Sequence, residues 1–115
     1  MKYWIIIFTL ITISCSKTSP KASENFTTKF EKSNGTETAT YSETINFYKK
    51  LAKKYPQINI QEIGKTDSGY PLHLVLFNTD KNFDLKQLKN SSKNIIFINN
   101  GIHPGESDGI DATML

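Results

Sequence analysis

The sequence reads as an α/β fold, and three observations point there. Residues 42–55 carry apolar side chains at helical spacing, and two short alternating runs flank a turn at 67–70. A continuous apolar run at 95–98 then precedes a second helical stretch. The apolar period therefore switches from 3.6 to 2 and back along the chain, the pattern of helices layered on a sheet. At 115 residues there is room for one small domain.

Lys2 gives the N-terminus a positive charge, and residues 3–13 are apolar apart from Thr9 and Thr12. That run is about half of the roughly 20 residues a membrane-spanning helix needs, so it reads as the apolar core of a signal peptide. It ends in Thr12-Ile13-Ser14-Cys15, and Cys15 is the one cysteine of the chain. A small residue followed by cysteine at this place resembles the lipobox of bacterial lipoproteins, although Thr12 stands where leucine is usual. The resemblance implies export, cleavage before Cys15 and a lipid anchor on Cys15, holding the protein to a membrane of the cell envelope. A plain signal peptide is the alternative. With one cysteine, no disulfide can form within the chain. Residues 16–25 are rich in Ser, Lys and Thr and contain Pro20, the composition of a flexible tether.

The domain is expected over residues 26–115, with Phe26 and Phe30 its first packing residues and Ser33-Asn34-Gly35 a turn. In the helix expected at 42–55, Ile45, Tyr48, Leu51, Ala52 and Tyr55 share one face, while Lys49, Lys50, Lys53 and Lys54 occupy the rest. Thr40 and Glu43 have capping-box spacing, and Pro56 disfavours helical geometry at Tyr55. Ile58 and Ile60 alternate with polar residues, and Ile63 breaks the parity, which predicts a bulge or strand end near Gln61-Glu62. Leu72, Leu74 and Leu76 share one face of the next strand, and His73, Val75 and Phe77 the other. Asp67-Ser68-Gly69-Tyr70 between them makes the pair a hairpin. Residues 78–93 are polar, with Phe83, Leu85 and Leu88 as anchors for a short helix. The run Ile95-Ile96-Phe97-Ile98 lacks alternation, as a strand buried on both faces does. A loop at 100–106 then leads into a helix over 107–115, with Asp108 and Asp111 where acidic groups favour the helix dipole. The chain stops on Met114-Leu115 with an unfinished apolar face, so a fragment of a longer protein is expected.

Composition excludes one class of partner. Formal net charge is +3, from 14 lysines against 11 acidic residues, and there is no arginine. The lysines are scattered, with doublets on the expected helix where they form a solvated face. A nucleic-acid surface would cluster arginines with aromatics, so that partner is not expected.

The chemistry concentrates in His103-Pro104-Gly105-Glu106. A short His-x-x-Glu can bring an imidazole nitrogen and a carboxylate onto one ion. Zinc accepts both donor types, and a catalytic zinc takes three protein ligands and keeps one open position. The segment follows the expected buried strand, and sites in α/β sheets form beyond the carboxyl ends of strands. Spacing alone is a weak signal, and a loop histidine beside a helix-start glutamate is the other reading.

From about Phe30 onward, some three-quarters of the chain, the sequence resembles the M14 zinc carboxypeptidases. Tyr41, the helix through Leu51-Ala52, and Tyr55-Pro56 are similar to that family's opening helix. Ile63-Gly64-Lys65-Thr66-Asp67-Ser68-Gly69-Tyr70-Pro71-Leu72 resembles its hairpin, with Tyr70 where the pattern has arginine. Ile98 to Glu106 is similar to its strand and ligand loop. The resemblance implies the N-terminal part of a mixed-sheet α/β/α metallocarboxypeptidase fold, with helices on both sides of the sheet. It implies Zn2+ as cofactor, His103 and Glu106 as the first two zinc ligands, and peptide or protein C-termini as substrates. It places a third histidine ligand and a glutamate general base far downstream, with an arginine to hold the substrate carboxylate. No histidine or glutamate follows Glu106, so no catalytic residue proper is expected within these 115 residues.

Remaining polar residues have simpler roles. His73 is expected to be packed or partly exposed on its strand, Asp67 and Ser68 to serve the turn, and Asp108 and Asp111 to serve the helix start. Two other functions use the same features: an amidohydrolase of the aspartoacylase and desuccinylase type, which also uses His-x-x-Glu, and a lipid-anchored, non-catalytic peptide-binding protein.

Overall fold

The computed structural model describes residues 25–115. The signal segment, Cys15 and all but the last residue of the tether lie outside the described residues. The elements are α1 (Lys29–Lys32), α2 (Tyr41–Lys54), β1 (Ile58–Lys65), β2 (Pro71–Phe77), α3 (Leu85–Lys89) and α4 (Asp108–Met114). Helices over a two-stranded sheet make this an α/β protein, as the periodicities predict.

Local chemistry accounts for most boundaries. The Thr40 hydroxyl accepts from the Glu43 N–H while the Glu43 carboxylate accepts from the Thr40 N–H at 2.8 Å, a closed capping box that starts α2. An identical box at Thr28 and Glu31 starts α1, a short helix with no counterpart among the elements expected from sequence. Both boxes hold their carboxyls below the usual range, chiefly through the backbone N–H bonds of Thr28 and Thr40. Tyr55 ends α2 in an extended conformation, as Pro56 requires of the residue before it. At α3, the Asp84 side chain caps the N–H groups of Lys86 and Gln87, and Leu88 packs half-buried.

β1 and β2 pair antiparallel with register Ile58↔Phe77, Ile60↔Val75 and Glu62↔His73. The register then slips between Glu62 and Gly64, leaving Ile63 as the extra residue of a bulge. That bulge is what the broken parity at Ile63 encodes. Thr66 closes the turn: its N–H and hydroxyl both bond the Tyr70 carbonyl, at 2.7 and 3.1 Å. Gly69 takes φ +80°, a conformation that favours glycine.

Helix α2 lies over β1 and touches α4. Its aromatic residues build the packing, with Phe47 edge-on to Phe26 (6.4 Å between centroids) and Phe26 against Tyr55 (5.8 Å). The Tyr41 hydroxyl donates to the Pro71 carbonyl at 2.6 Å, pinning the start of α2 to the start of β2. Met114 of α4 is the one buried apolar residue among the described residues.

One expected element is absent. Residues 94–99 form no strand, and Ile96 and Phe97 are 86% and 74% exposed. A strand apolar on both faces needs a hydrogen-bonding neighbour and a packing layer on each side. Among the described residues the sheet is the β1–β2 hairpin alone, and residues 94–102 make no backbone–backbone hydrogen bond. The run is therefore extended and uncovered. Among the described residues, no helix is long and apolar enough to cross a membrane.

Candidate metal centre

The loop from Asn100 to Glu106 is shaped by two glycines and a proline. Gly101 has φ +65° and Gly105 φ +83°. Proline at the second place and a positive-φ glycine at the third are the signature of a type II turn. The turn runs His103-Pro104-Gly105-Glu106 and closes through the Glu106 N–H to the His103 carbonyl at 3.3 Å. A four-residue turn brings its first and last residues side by side, which is why this spacing can present two donors together.

It does so here. Nδ1 of His103 lies 2.8 Å from Oε1 of Glu106, and the other carboxylate oxygen, Oε2, accepts from the His103 backbone N–H at 3.2 Å. An ionised carboxylate only accepts, so the proton of this bond sits on Nδ1 and the glutamate is held at both oxygens. Both side chains are largely exposed, at 69% and 52%. The pair is thus open to solvent and to an incoming ion.

The donor set suits zinc. Zinc would be held by the imidazole nitrogen of His103 and the carboxylate of Glu106, both donor types it accepts in catalytic sites. Nδ1 of His103 and Oε1 of Glu106 already lie 2.8 Å apart, so a small movement would bring both onto one ion. Among the described residues, no three of His, Cys, Asp and Glu gather to hold a metal ion. His103 and Glu106 are the two donor side chains that the turn brings together.

The structure places the other candidates elsewhere. His73 is half-buried on β2, its Nδ1 3.2 Å from the Tyr41 hydroxyl and its ring 6.2 Å from that of Tyr41. That is the packed role expected of it. Asp67 and Ser68 sit in the hairpin turn. Asp108 is exposed at the start of α4, as a dipole partner should be, but Asp111 is 5% exposed with its Oδ1 buried and without a hydrogen-bond partner. A helix-start electrostatic role explains Asp108 and leaves the burial of Asp111 unexplained.

Outside the turn, Asn100, Thr113 and Tyr48 are joined by contacts that no local sequence pattern announces. The Thr113 hydroxyl accepts from Nδ2 of Asn100 at 3.2 Å and from the Tyr48 hydroxyl at 3.3 Å, and donates to the Gly109 carbonyl at 3.0 Å. Their separations along the chain, 13 and 65 residues, lie beyond any local pattern.

The family model for zinc carboxypeptidases matches residues 44–115, more than half of the chain. The match spans most of α2, the hairpin, the His-Pro-Gly-Glu turn and α4. No curated protein and no solved structure matches the chain. Family match, α/β architecture and a converged histidine–glutamate pair agree, and this chain belongs to the zinc carboxypeptidase family.

Proposed function

We propose that this chain carries the first two zinc ligands, His103 and Glu106, of a metallocarboxypeptidase that hydrolyses C-terminal peptide bonds. The observation that carries the reading is the turn that brings Nδ1 and Oε1 to 2.8 Å, inside a segment matched by the zinc carboxypeptidase family. Zinc supplies Lewis acidity toward a peptide carbonyl and toward water. His103 offers a nitrogen lone pair once Nδ1 is deprotonated, and Glu106 offers the neutralising carboxylate. Pro104 and Gly105 hold the two at fixed spacing. Glu106 serves as ligand and not as base, because a carboxylate engaged with a cation is a poor proton acceptor. The reading therefore requires a third ligand and a separate general base. It also requires a group to recognise the substrate carboxylate, and the chain has no arginine for that task. Residues 1–15 support the companion proposal that the protein is exported and lipid-anchored through Cys15.

Two measurements test this. Calorimetric titration of the 115-residue chain is expected to show weak zinc binding that His103→Ala removes. Tight one-to-one binding that survives His103→Ala would overturn the ligand assignment. The whole gene product, loaded with zinc, is expected to release C-terminal amino acids from free-ended peptides and to leave C-terminally amidated ones intact. Release of acyl groups from N-acyl amino acids would instead indicate an amidohydrolase, and peptide capture without cleavage a binding protein.

A further inference from the structure

We infer that Gly109 and Thr113 of α4 are positioning residues for the His103–Glu106 pair, acting through Asn100-Gly101 at the head of the ligand loop; this rests on the zinc reading above. Helix α4 seats that dipeptide at three points. The Asn100 side chain lies over Gly109 so closely that a Cβ there would fall 2.6 Å from Oδ1 and 3.0 Å from Cγ. Its amide reaches one turn further along the same helix face and donates to the Thr113 hydroxyl at 3.2 Å. Gly101, at φ +65°, lies against Ile110, whose Cδ1 would be 2.7 Å from a Cβ.

The far end of the loop is tied to the same helix. The Ser107 N–H bonds the Gly105 carbonyl at 3.1 Å, and the Ser107 carbonyl accepts from Asp111 in the first turn of α4. Both ends of a seven-residue loop thus rest on one short helix, and His103 and Glu106 hang between the two anchors. The Thr113 hydroxyl accepts from Asn100 and donates within its own helix, 3.0 Å from both the Gly109 and Ile110 carbonyls, while the Tyr48 hydroxyl lies 3.2 Å from the Thr113 carbonyl and 3.3 Å from its hydroxyl. Tyr48 ties α4 to α2 and makes none of the contacts to the loop. It therefore separates a positioning effect from a general loss of packing.

Four variants of the 115-residue chain test the inference with two readouts. The first is the nitrogen and proton NMR signature of the His103 ring in metal-free protein, which reports the Nδ1–Glu106 bond. The second is zinc affinity. Gly109→Ala and Thr113→Val are expected to weaken the Nδ1–Glu106 signature and to lower zinc affinity roughly tenfold, the low end for supporting residues around a metal ligand. Thr113→Ser restores both. Tyr48→Phe lowers the melting temperature and leaves both unchanged. Gly109→Ala also carries an internal sign test, because alanine favours helix over glycine. Helicity should hold or rise while the ligand pair is disturbed, whereas a merely structural glycine would move both together. An unchanged His103 signature in Gly109→Ala and Thr113→Val overturns the inference, as does an equal disturbance in Tyr48→Phe. If the signature responds as expected while the wild-type chain binds no zinc through His103, the positioning stands and the zinc reading falls.

Discussion

At His103-Pro104-Gly105-Glu106 the residues of the turn and the residues of the centre are the same four. Gly105 has φ +83°, and a Cβ there would meet nothing within 4 Å. A substitution at 105 therefore acts through backbone conformation alone. Gly105→Val should cost about 1–3 kcal/mol at this φ, lowering zinc affinity roughly tenfold. Gly105→Asn should be milder, since asparagine tolerates the left-handed region. Calorimetric titration of both variants reads the difference, and equal losses would show that the turn does not set the pair. The sequence marked His103 and Glu106 as a candidate pair in a loop, and the structure supplies the reason, since a type II turn depends on its own four residues. The support from Asn100 and Thr113 was not legible in the sequence, since a hydroxyl and an amide 13 residues apart meet only once α4 is docked.

At the scale of elements, α2 stands on signals within four residues of each end. The Thr40–Glu43 box, the amphipathic face and Pro56 were each readable, and the helix runs from Tyr41 to Lys54. Thr40→Ala should destabilise α2 by about 1 kcal/mol, measured as a lower midpoint in thermal circular dichroism. Acid gives a second test. Glu31 and Glu43 have folded pKa values below their ordinary 4.5, so their contribution is complete above that value and is lost as pH falls through the lowered folded pKa. Helical signal should therefore decline only as pH falls below 4.5, by a modest amount because both carboxylates are exposed. Glu43→Ala should remove much of that acid-sensitive part; an unchanged acid profile would refute the role of the boxes. The parity break at Ile63 marked the bulge for the same local reason, since strand alternation has period 2 and one extra residue shows at once.

For the whole molecule, the uncovered run at 95–98 is expected to govern self-association. Ile95, Ile96, Phe97 and Ile98, with Ile102 beyond them, expose apolar surface on an extended backbone free of backbone–backbone hydrogen bonds among the described residues. Such a segment invites pairing with another chain. Light scattering of the 115-residue chain should show concentration-dependent self-association. Ile96→Lys should suppress it and leave the circular dichroism of α2 and the hairpin unchanged. Association equal in wild type and variant would place the adhesive surface elsewhere. The proposed anchor has its own check: metabolic labelling with palmitate should mark the gene product, and Cys15→Ala should abolish the label and release the protein from the membrane fraction.

By itself the sequence determined every feature whose cause lies within a few residues: the cap and stop of α2, the Ile63 bulge, the Thr66–Tyr70 turn, and the turn that pairs His103 with Glu106. Tertiary structure alone decided the rest. The apolar run at 95–98 has the composition of a strand, but backbone pairing is a property of two segments, and the described residues offer it no partner. Asp111 reads as a surface helix-start acid, yet the docking of α4 buries it. Gly109 and Thr113 read as ordinary helix residues, and only the folded chain sets Asn100 upon them.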